Sequence, residues 1–130
     1  MMNIFRLQQP FRLESGIKIP DSHLAYTTYG QLNEQKDNVV WIFHALTANS
    51  DAVDWWPGLV GAHKLFDPAQ YFIICVNMPG SCYGSIGPLD TDPLTGNPYY
   101  HDFPLFTTRD MIRSYQQLKN YLGIQKVFIG

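Results

Sequence analysis

The first segment whose residues could take part in chemistry is His44-Ala45-Leu46-Thr47, at the end of the near-continuously apolar run 39–44. Such a run is typical of a strand buried on both faces of a parallel sheet. The segment would then lie beyond the carboxyl end of that strand, where open α/β sheets bind ligands. Its backbone N–H groups could stabilise the oxyanion of an acyl-transfer intermediate. Alternatively, His44 is a strand-end histidine with a satisfied hydrogen bond and no part in chemistry.

Two later segments are rich in glycine, proline and aromatic residues. Residues 80–88 read Gly-Ser-Cys-Tyr-Gly-Ser-Ile-Gly-Pro, in which the glycines allow tight turns and a close approach to a ligand. They do not form a GxGxxG pattern at the start of a helix, so a dinucleotide site is not supported. In the second segment, 93–104, four consecutive residues could line a pocket: Tyr99, Tyr100, His101 and Asp102. Alternatively, both segments are loops without a function, held in place by their own packing.

A nucleophile is not evident in the sequence. The chain contains no Gly-x-Ser-x-Gly elbow, and Ser85, in Gly-Ser-Ile-Gly, has neither that pattern nor the strand-to-helix context. The four histidines do not have HExxH-type metal spacing. Cys75 and Cys82 form no CxxC pair and are interpreted as reduced thiols. None of these patterns indicates a metal site.

The elements that would position these segments alternate in type. Residues 11–14 predict a first short strand that continues over 17–20 after a turn, and 23–29 a second. The runs 39–44 and 71–77 predict buried strands. Residues 107–122 predict a helix that is capped by Thr107 or Thr108 and ended by Gly123, and residues 126–129 predict a final strand. Buried strands joined through a helix predict a mostly parallel α/β sheet, and the two opening strands predict an antiparallel N-terminal edge.

Composition limits the class of protein. The 130 residues suffice for one domain, and 45% of them are hydrophobic. The net charge is −2, without a basic stripe, so nucleic acid is not an expected partner. No apolar run approaches the ~20 residues that span a bilayer, and the N-terminus lacks a secretory signal pattern. We expect a cytoplasmic protein without a membrane partner.

The segments taken together resemble the homoserine O-acetyltransferase family. The similarity runs in order from about residue 11 onwards, through motifs that include Leu-Ala-Tyr-Thr-Thr-Tyr-Gly at 24–30, Phe-His-Ala-Leu-Thr at 43–47, Trp55-Trp56, Ser-Cys-Tyr-Gly-Ser at 81–85 and Thr-Arg-Asp-Met at 108–111. Ile86 and Pro79 depart from the family pattern. The resemblance implies that residues 1–130 are the N-terminal part of a single α/β-hydrolase core domain, ending just before the nucleophile elbow.

The resemblance also implies a reaction. Family members transfer acetyl from acetyl-CoA to the hydroxyl of L-homoserine in methionine biosynthesis. They do so through a Ser-His-Asp triad and an acetyl-serine intermediate, and they are usually cytosolic homodimers. The resemblance implies no metal or prosthetic group, with acetyl-CoA as a co-substrate. In this chain Leu46 matches the position whose backbone N–H contributes to the oxyanion hole. Thr47, Asn49 and Tyr83 are candidates for substrate binding, whereas the triad residues have no positions here.

Three readings of the function follow. The chain is part of a homoserine O-acetyltransferase, or of a sister enzyme of the same fold that transfers succinyl to homoserine or acetyl to serine. In a reading of a different class it is a non-catalytic truncated fragment. In every case a polypeptide of these 130 residues alone is expected to be inactive, because it lacks the nucleophile, and to be poorly soluble, because its sheet ends on an unprotected strand.

Overall fold

The computed structural model describes residues 2–8, 10–44, 49–80 and 84–130. Seven strands and two α-helices are present in these ranges. The strands are β1 (Met2–Arg6), β2 (Phe11–Arg12), β3 (Lys18–Ile19), β4 (His23–Tyr29), β5 (Val39–Ile42), β6 (Phe72–Val76) and β7 (Val127–Ile129). The helices are α1 (Ala52–Trp55) and α2 (Thr108–Leu122), and a 3-10 helix covers Tyr100–Asp102.

Five strands form one mixed sheet in the order β1-β4-β6-β5-β7. β6, β5 and β7 are parallel, β4 is antiparallel to β6, and β1 is antiparallel to β4. Four of the five strands therefore run in one direction, with β4 against them. The predicted α/β fold, a mostly parallel sheet with an antiparallel N-terminal edge, is confirmed.

The strand that forms this edge is not the predicted one. β1 lies at the edge, although the sequence up to Pro10 gave no strand signal, and residues 11–14 do not join the main sheet. Instead β2 and β3 form a separate hairpin, in which the Leu13 N–H donates to the Ile17 carbonyl oxygen at 2.8 Å. Gly16, at φ +89°, makes the turn that a β-carbon would disfavour.

The core lies on both faces of the sheet because side chains of the central strands alternate. On one face, Val39 and Trp41 pack beneath the hairpin and α2, with the Trp41 and Tyr115 rings 5.9 Å apart. On the other face, Val40 and Ile73 pack against the segment around Val60. The two apolar runs are therefore interior strands, as predicted, and their carboxyl ends point to one edge of the molecule.

Helix α2 follows the sequence signals closely. Thr107 is the N-cap, its hydroxyl accepting the Asp110 N–H, and the Asp110 carboxylate accepts the Thr107 N–H in return. Gly123 ends the helix in the left-handed conformation at φ +76°. From there the chain enters β7, which lies at the far edge of the sheet with the side chain of Phe128 61% exposed.

Candidate active site

The carboxyl ends of β5 and β6 carry two buried polar residues. His44 follows β5 and is 3% exposed, and Asn77 follows β6 and is fully buried. The strands are parallel neighbours with Ile42 opposite Cys75, so both residues leave the sheet at the same edge. The His44 Nε2 atom accepts the backbone N–H of Met78 at 3.1 Å, which ties the end of β5 to the end of β6.

The Asn77 side chain holds the chain where it returns from the segment after β5. Its Oδ1 accepts the backbone N–H of Ser50 at 2.7 Å, and its Nδ2 donates to the Ser50 hydroxyl at 2.9 Å. The same hydroxyl shares a 2.7 Å hydrogen bond with the hydroxyl of Thr27 on β4. Because buried polar groups are costly unless paired, this network favours a single arrangement of the backbone at this edge of the sheet.

Ser85 fixes the chain where it returns from the segment after β6. Its hydroxyl accepts the Ala25 N–H at 2.8 Å and donates to the Asn77 carbonyl oxygen at 2.5 Å. The Gly80 N–H donates to the Ile86 carbonyl oxygen at 2.7 Å and closes the base of this loop. Ser85 is 3% exposed, and its hydroxyl is engaged in the frame of the site.

Three of the four predicted site residues, Leu46, Thr47 and Tyr83, lie outside the described residues. Asn49 is described and half-buried. Its side-chain oxygen accepts the Asp51 N–H at 2.8 Å, and its carbonyl oxygen accepts the indole N–H of Trp55 at 2.8 Å. These contacts organise the turn into α1, and the part of Asn49 in substrate binding stays a prediction.

Beside this turn, Tyr29 donates its hydroxyl to the Asp51 carboxylate at 2.7 Å. Burial, reinforced by this hydrogen bond, raises the pKa of Tyr29 well above its usual range. Cys75, one residue before the end of β6, is a free and fully buried thiol. Burial raises its pKa to about 12, so it is not a thiolate nucleophile at neutral pH.

The third segment from the sequence, residues 93–104, is divided by the structure. Tyr99 is buried and meets the Phe103 ring edge to face at 5.5 Å. The His101 and Asp102 side chains are 93% and 83% exposed, with 3.9 Å between the imidazole and the carboxylate. Tyr99 therefore packs the loop, as the interpretation without function expected, whereas Tyr100 is 57% exposed and the His-Asp pair lies in solvent.

Asn77, Ser50 and Thr27 were not predicted as site residues. The available signal was a polar residue directly after a buried apolar run, a pattern that places an amide at the ligand edge of an α/β sheet. The side-chain partner of Asn77 could not be found in this way, because Ser50 lies 27 residues away in the sequence. Within the described ranges no group of three His, Cys, Asp or Glu side chains could hold a metal ion. No helix among those residues is long and apolar enough to cross a membrane.

Residues 38–130 match the family model of the alpha/beta hydrolase fold. The chain belongs to this family. It is 50% identical to a homoserine O-acetyltransferase from Cyclobacterium marinum, over 95% of this chain and 35% of that protein. Among solved structures, a homoserine O-acetyltransferase from Bacillus anthracis has a TM-score of 0.90 at 31% identity, with 98% of this chain and 38% of that chain covered. An acetylester hydrolase from Corynebacterium glutamicum has a TM-score of 0.83 at 27% identity, covering 99% and 36%.

The predicted resemblance to the N-terminal portion of homoserine O-acetyltransferases is therefore confirmed. The chain spans about a third of the length of the curated relatives that it matches. In this α/β-hydrolase chain the described residues form a five-stranded sheet and the bases of two loops at its carboxyl edge.

Proposed function

We propose that this chain is part of a homoserine O-acetyltransferase, which moves an acetyl group from acetyl-CoA to the side-chain hydroxyl of L-homoserine. The observation that carries the proposal is the 50% identity to a protein of that name over nearly the whole chain. The frame of hydrogen bonds at the ends of β5 and β6 supports it, because acyl transfer needs backbone donors held at fixed positions.

The proposed reaction has two stages. A serine attacks the thioester carbonyl carbon, the C–S bond breaks, and CoA leaves with the proton that a histidine took from the serine. The homoserine hydroxyl then attacks the acetyl-serine, its proton passes through the histidine to the serine, and O-acetylhomoserine leaves. The part assigned to this chain is the Leu46 N–H as one oxyanion donor, with Thr47, Asn49 and Tyr83 shaping the crevice. The serine, histidine and aspartate are assigned to sequence that this chain does not contain.

The remaining expectations belong to the same proposal. Acetyl-CoA is a co-substrate and no resident cofactor or metal is required. The working enzyme is a cytoplasmic homodimer in methionine biosynthesis, without nucleic acid or membrane as partners. Succinyl transfer to homoserine and acetyl transfer to serine are the alternatives within the fold.

A second candidate function is hydrolysis of acetyl esters. The structural similarity to the acetylester hydrolase favours it, because the same acyl-serine intermediate can be released by water instead of homoserine. Once the acetyl-serine has formed, the two candidates differ in the acceptor that reaches it, so the acceptor is what an experiment must vary.

The experiment uses the protein from the complete reading frame that contains these residues. CoA release is measured with acetyl-CoA or succinyl-CoA as donor and with L-homoserine, L-serine or no amino acid as acceptor. Acetyl-CoA turnover that depends on homoserine is the expected result. Turnover that is equally fast without an amino acid would assign the chain to a hydrolase, and preference for another donor or acceptor would assign it to a sister transferase.

The same assay on a polypeptide of residues 1–130 tests the division of labour. We expect no CoA release above background, because the chain lacks a nucleophile elbow and catalysis without the nucleophile is weak. Turnover by this polypeptide at more than a few per cent of the rate of the complete protein would show that an unrecognised nucleophile lies within it.

A further inference from the structure

We infer that Asn77 is a positioning residue for acyl transfer, which acts by holding the backbone at Ser50, on the C-terminal side of the segment that contains Leu46. The inference rests on the proposed function and adds a residue to it. The proposal concerns the hydrogen bonds of the described residues that flank this segment.

Both ends of the segment are attached to consecutive residues at the end of β6. His44, on the N-terminal side, accepts the Met78 N–H at 3.1 Å. Ser50, on the C-terminal side, is bound twice by the Asn77 amide, at 2.7 Å through its backbone N–H and at 2.9 Å through its hydroxyl. The dipeptide Asn77-Met78 therefore fixes the distance between the two ends.

Asn77 is itself held rigidly. Its backbone N–H donates to the Ala25 carbonyl oxygen on β4 at 2.8 Å, and its carbonyl oxygen accepts the Ser85 hydroxyl at 2.5 Å. Its side chain is fully buried, so water does not compete for the amide. An amide supplies both an acceptor and a donor, and the two groups of Ser50 need one of each.

The consequence is kinetic. A backbone donor acts on the transition state only when it lies where the oxyanion forms, and removing one donor costs roughly 100- to 1,000-fold in kcat. A misplacement of about 1 Å can cost about 100-fold. Loss of the Asn77–Ser50 hydrogen bonds would displace a backbone donor without removing it. We therefore expect kcat to fall by about 10- to 100-fold. The KM for the acyl donor should change by less than about threefold, because ground-state binding does not use the oxyanion geometry.

The test compares Asn77→Ala with Asn38→Ala in the protein from the complete reading frame. Asn38 is a matched control, because its side chain, like that of Asn77, accepts one backbone N–H and donates through its amide. It accepts the Asn33 N–H and donates to the carbonyl oxygens of Gln31 and Gln70. It lies before β5, at the opposite end of the sheet from Asn77. Transfer from acetyl-CoA to homoserine and hydrolysis of p-nitrophenyl acetate are both measured, together with Tm.

Two further variants separate positioning from folding. Asn77→Asp keeps an acceptor for the Ser50 N–H and should recover about threefold or more of the kcat lost in Asn77→Ala. Asn77→Gln keeps the amide but moves it by about one bond length (~1.5 Å), so kcat should again fall by 10-fold or more. The glutamine variant carries the test if the alanine variant does not fold.

The inference is supported if the alanine and glutamine variants lose kcat with little change in KM while Asn38→Ala, at a similar loss of Tm, keeps kcat within threefold. It is overturned if a folded Asn77→Ala or Asn77→Gln keeps kcat within threefold, or if the control loses as much. Ester hydrolysis without transfer to homoserine in the wild-type protein would refute the proposed function and still test Asn77. A wild-type protein with neither activity would refute both.

Discussion

Replacing Asp110 with alanine should strongly destabilise the fold. Its carboxylate is fully buried and accepts two backbone N–H groups, from Thr107 at 3.0 Å and from Glu14 at 2.9 Å. The guanidinium of Arg113 lies 3.6 Å away. One side chain thus begins the helix and attaches it to the chain just after β2, 96 residues earlier in the sequence.

The magnitude follows from these contacts. A hydrogen bond to a charged group contributes roughly 1.5–3 kcal/mol, and leaving buried N–H donors unpaired adds to the loss. Losing the favourable charge at the helix N-terminus costs about 0.5 kcal/mol more. We therefore expect Asp110→Ala to lower the free energy of unfolding by about 3–5 kcal/mol, within the range for breaking buried charged contacts.

The assay is urea unfolding followed by circular dichroism. With an m value of about 2 kcal/mol/M, Asp110→Ala should shift the midpoint by about 1.5–2.5 M. Thr107→Ala, which removes only the hydroxyl that accepts the Asp110 N–H at 3.2 Å, should cost about 1 kcal/mol. Asp102→Ala is the control, because that carboxylate is 83% exposed, and it should shift nothing measurable. An Asp110→Ala midpoint within 0.5 M (about 1 kcal/mol) of the wild type would refute the reasoning.

Two further predictions concern backbone space and burial. Gly30→Ala should destabilise by more than about 3 kcal/mol in thermal unfolding, because Gly30 lies at φ +83° and its β-carbon would overlap the carbonyl oxygens of Tyr71 and Pro68. Gly58→Ala, which meets no atom within 4 Å, should be neutral, and equal Tm changes would contradict this account. Burial raises the Cys75 pKa from 9.0 to about 12, so protonation of this thiol favours the folded state. Stability should therefore be unaffected by this group below pH 9 and fall between pH 9 and 12, and a Cys75→Ala variant should show a smaller fall. An equal fall in the two proteins would contradict the prediction.

The elements that the sequence predicted well carry their own signals. β4 has the predicted bounds, and α2 begins and ends at the predicted cap residues. The capping contacts of Thr107, Asp110 and Gly123 involve backbone groups within four residues, so local sequence is sufficient to place the helix ends. The buried runs that became β5 and β6 were equally clear, because strands buried on both faces are apolar at nearly every position.

β1 was missed because its sequence lacks the alternation of apolar and polar residues that is typical of a half-buried strand. Along Met2–Arg6 the exposed positions include Ile4, at 60%, whereas the half-buried ones are Asn3 and Phe5. The apolar residues of this strand therefore do not all lie on the face that is covered. The strand forms because β4 offers an unpaired edge, and Phe5 packs on the Tyr121 ring at 4.9 Å. Neither partner can be identified from the first ten residues alone.

The candidate site was only partly predictable for a related reason. If Leu46 contributes its backbone N–H, as proposed, its side chain does no chemistry, and many residue types at that position would serve. The constraint then falls on the residues that hold the backbone, and in the described structure those are His44 and Asn77. The partners of Asn77 come from β4, from the turn before α1 and from the segment before Ile86, so the requirement for an amide at position 77 appears only when the chain is folded. When a site is built from backbone donors, the side chains that touch the substrate can vary. The residue types that the chemistry requires are then expected among the buried polar residues that hold those donors in place.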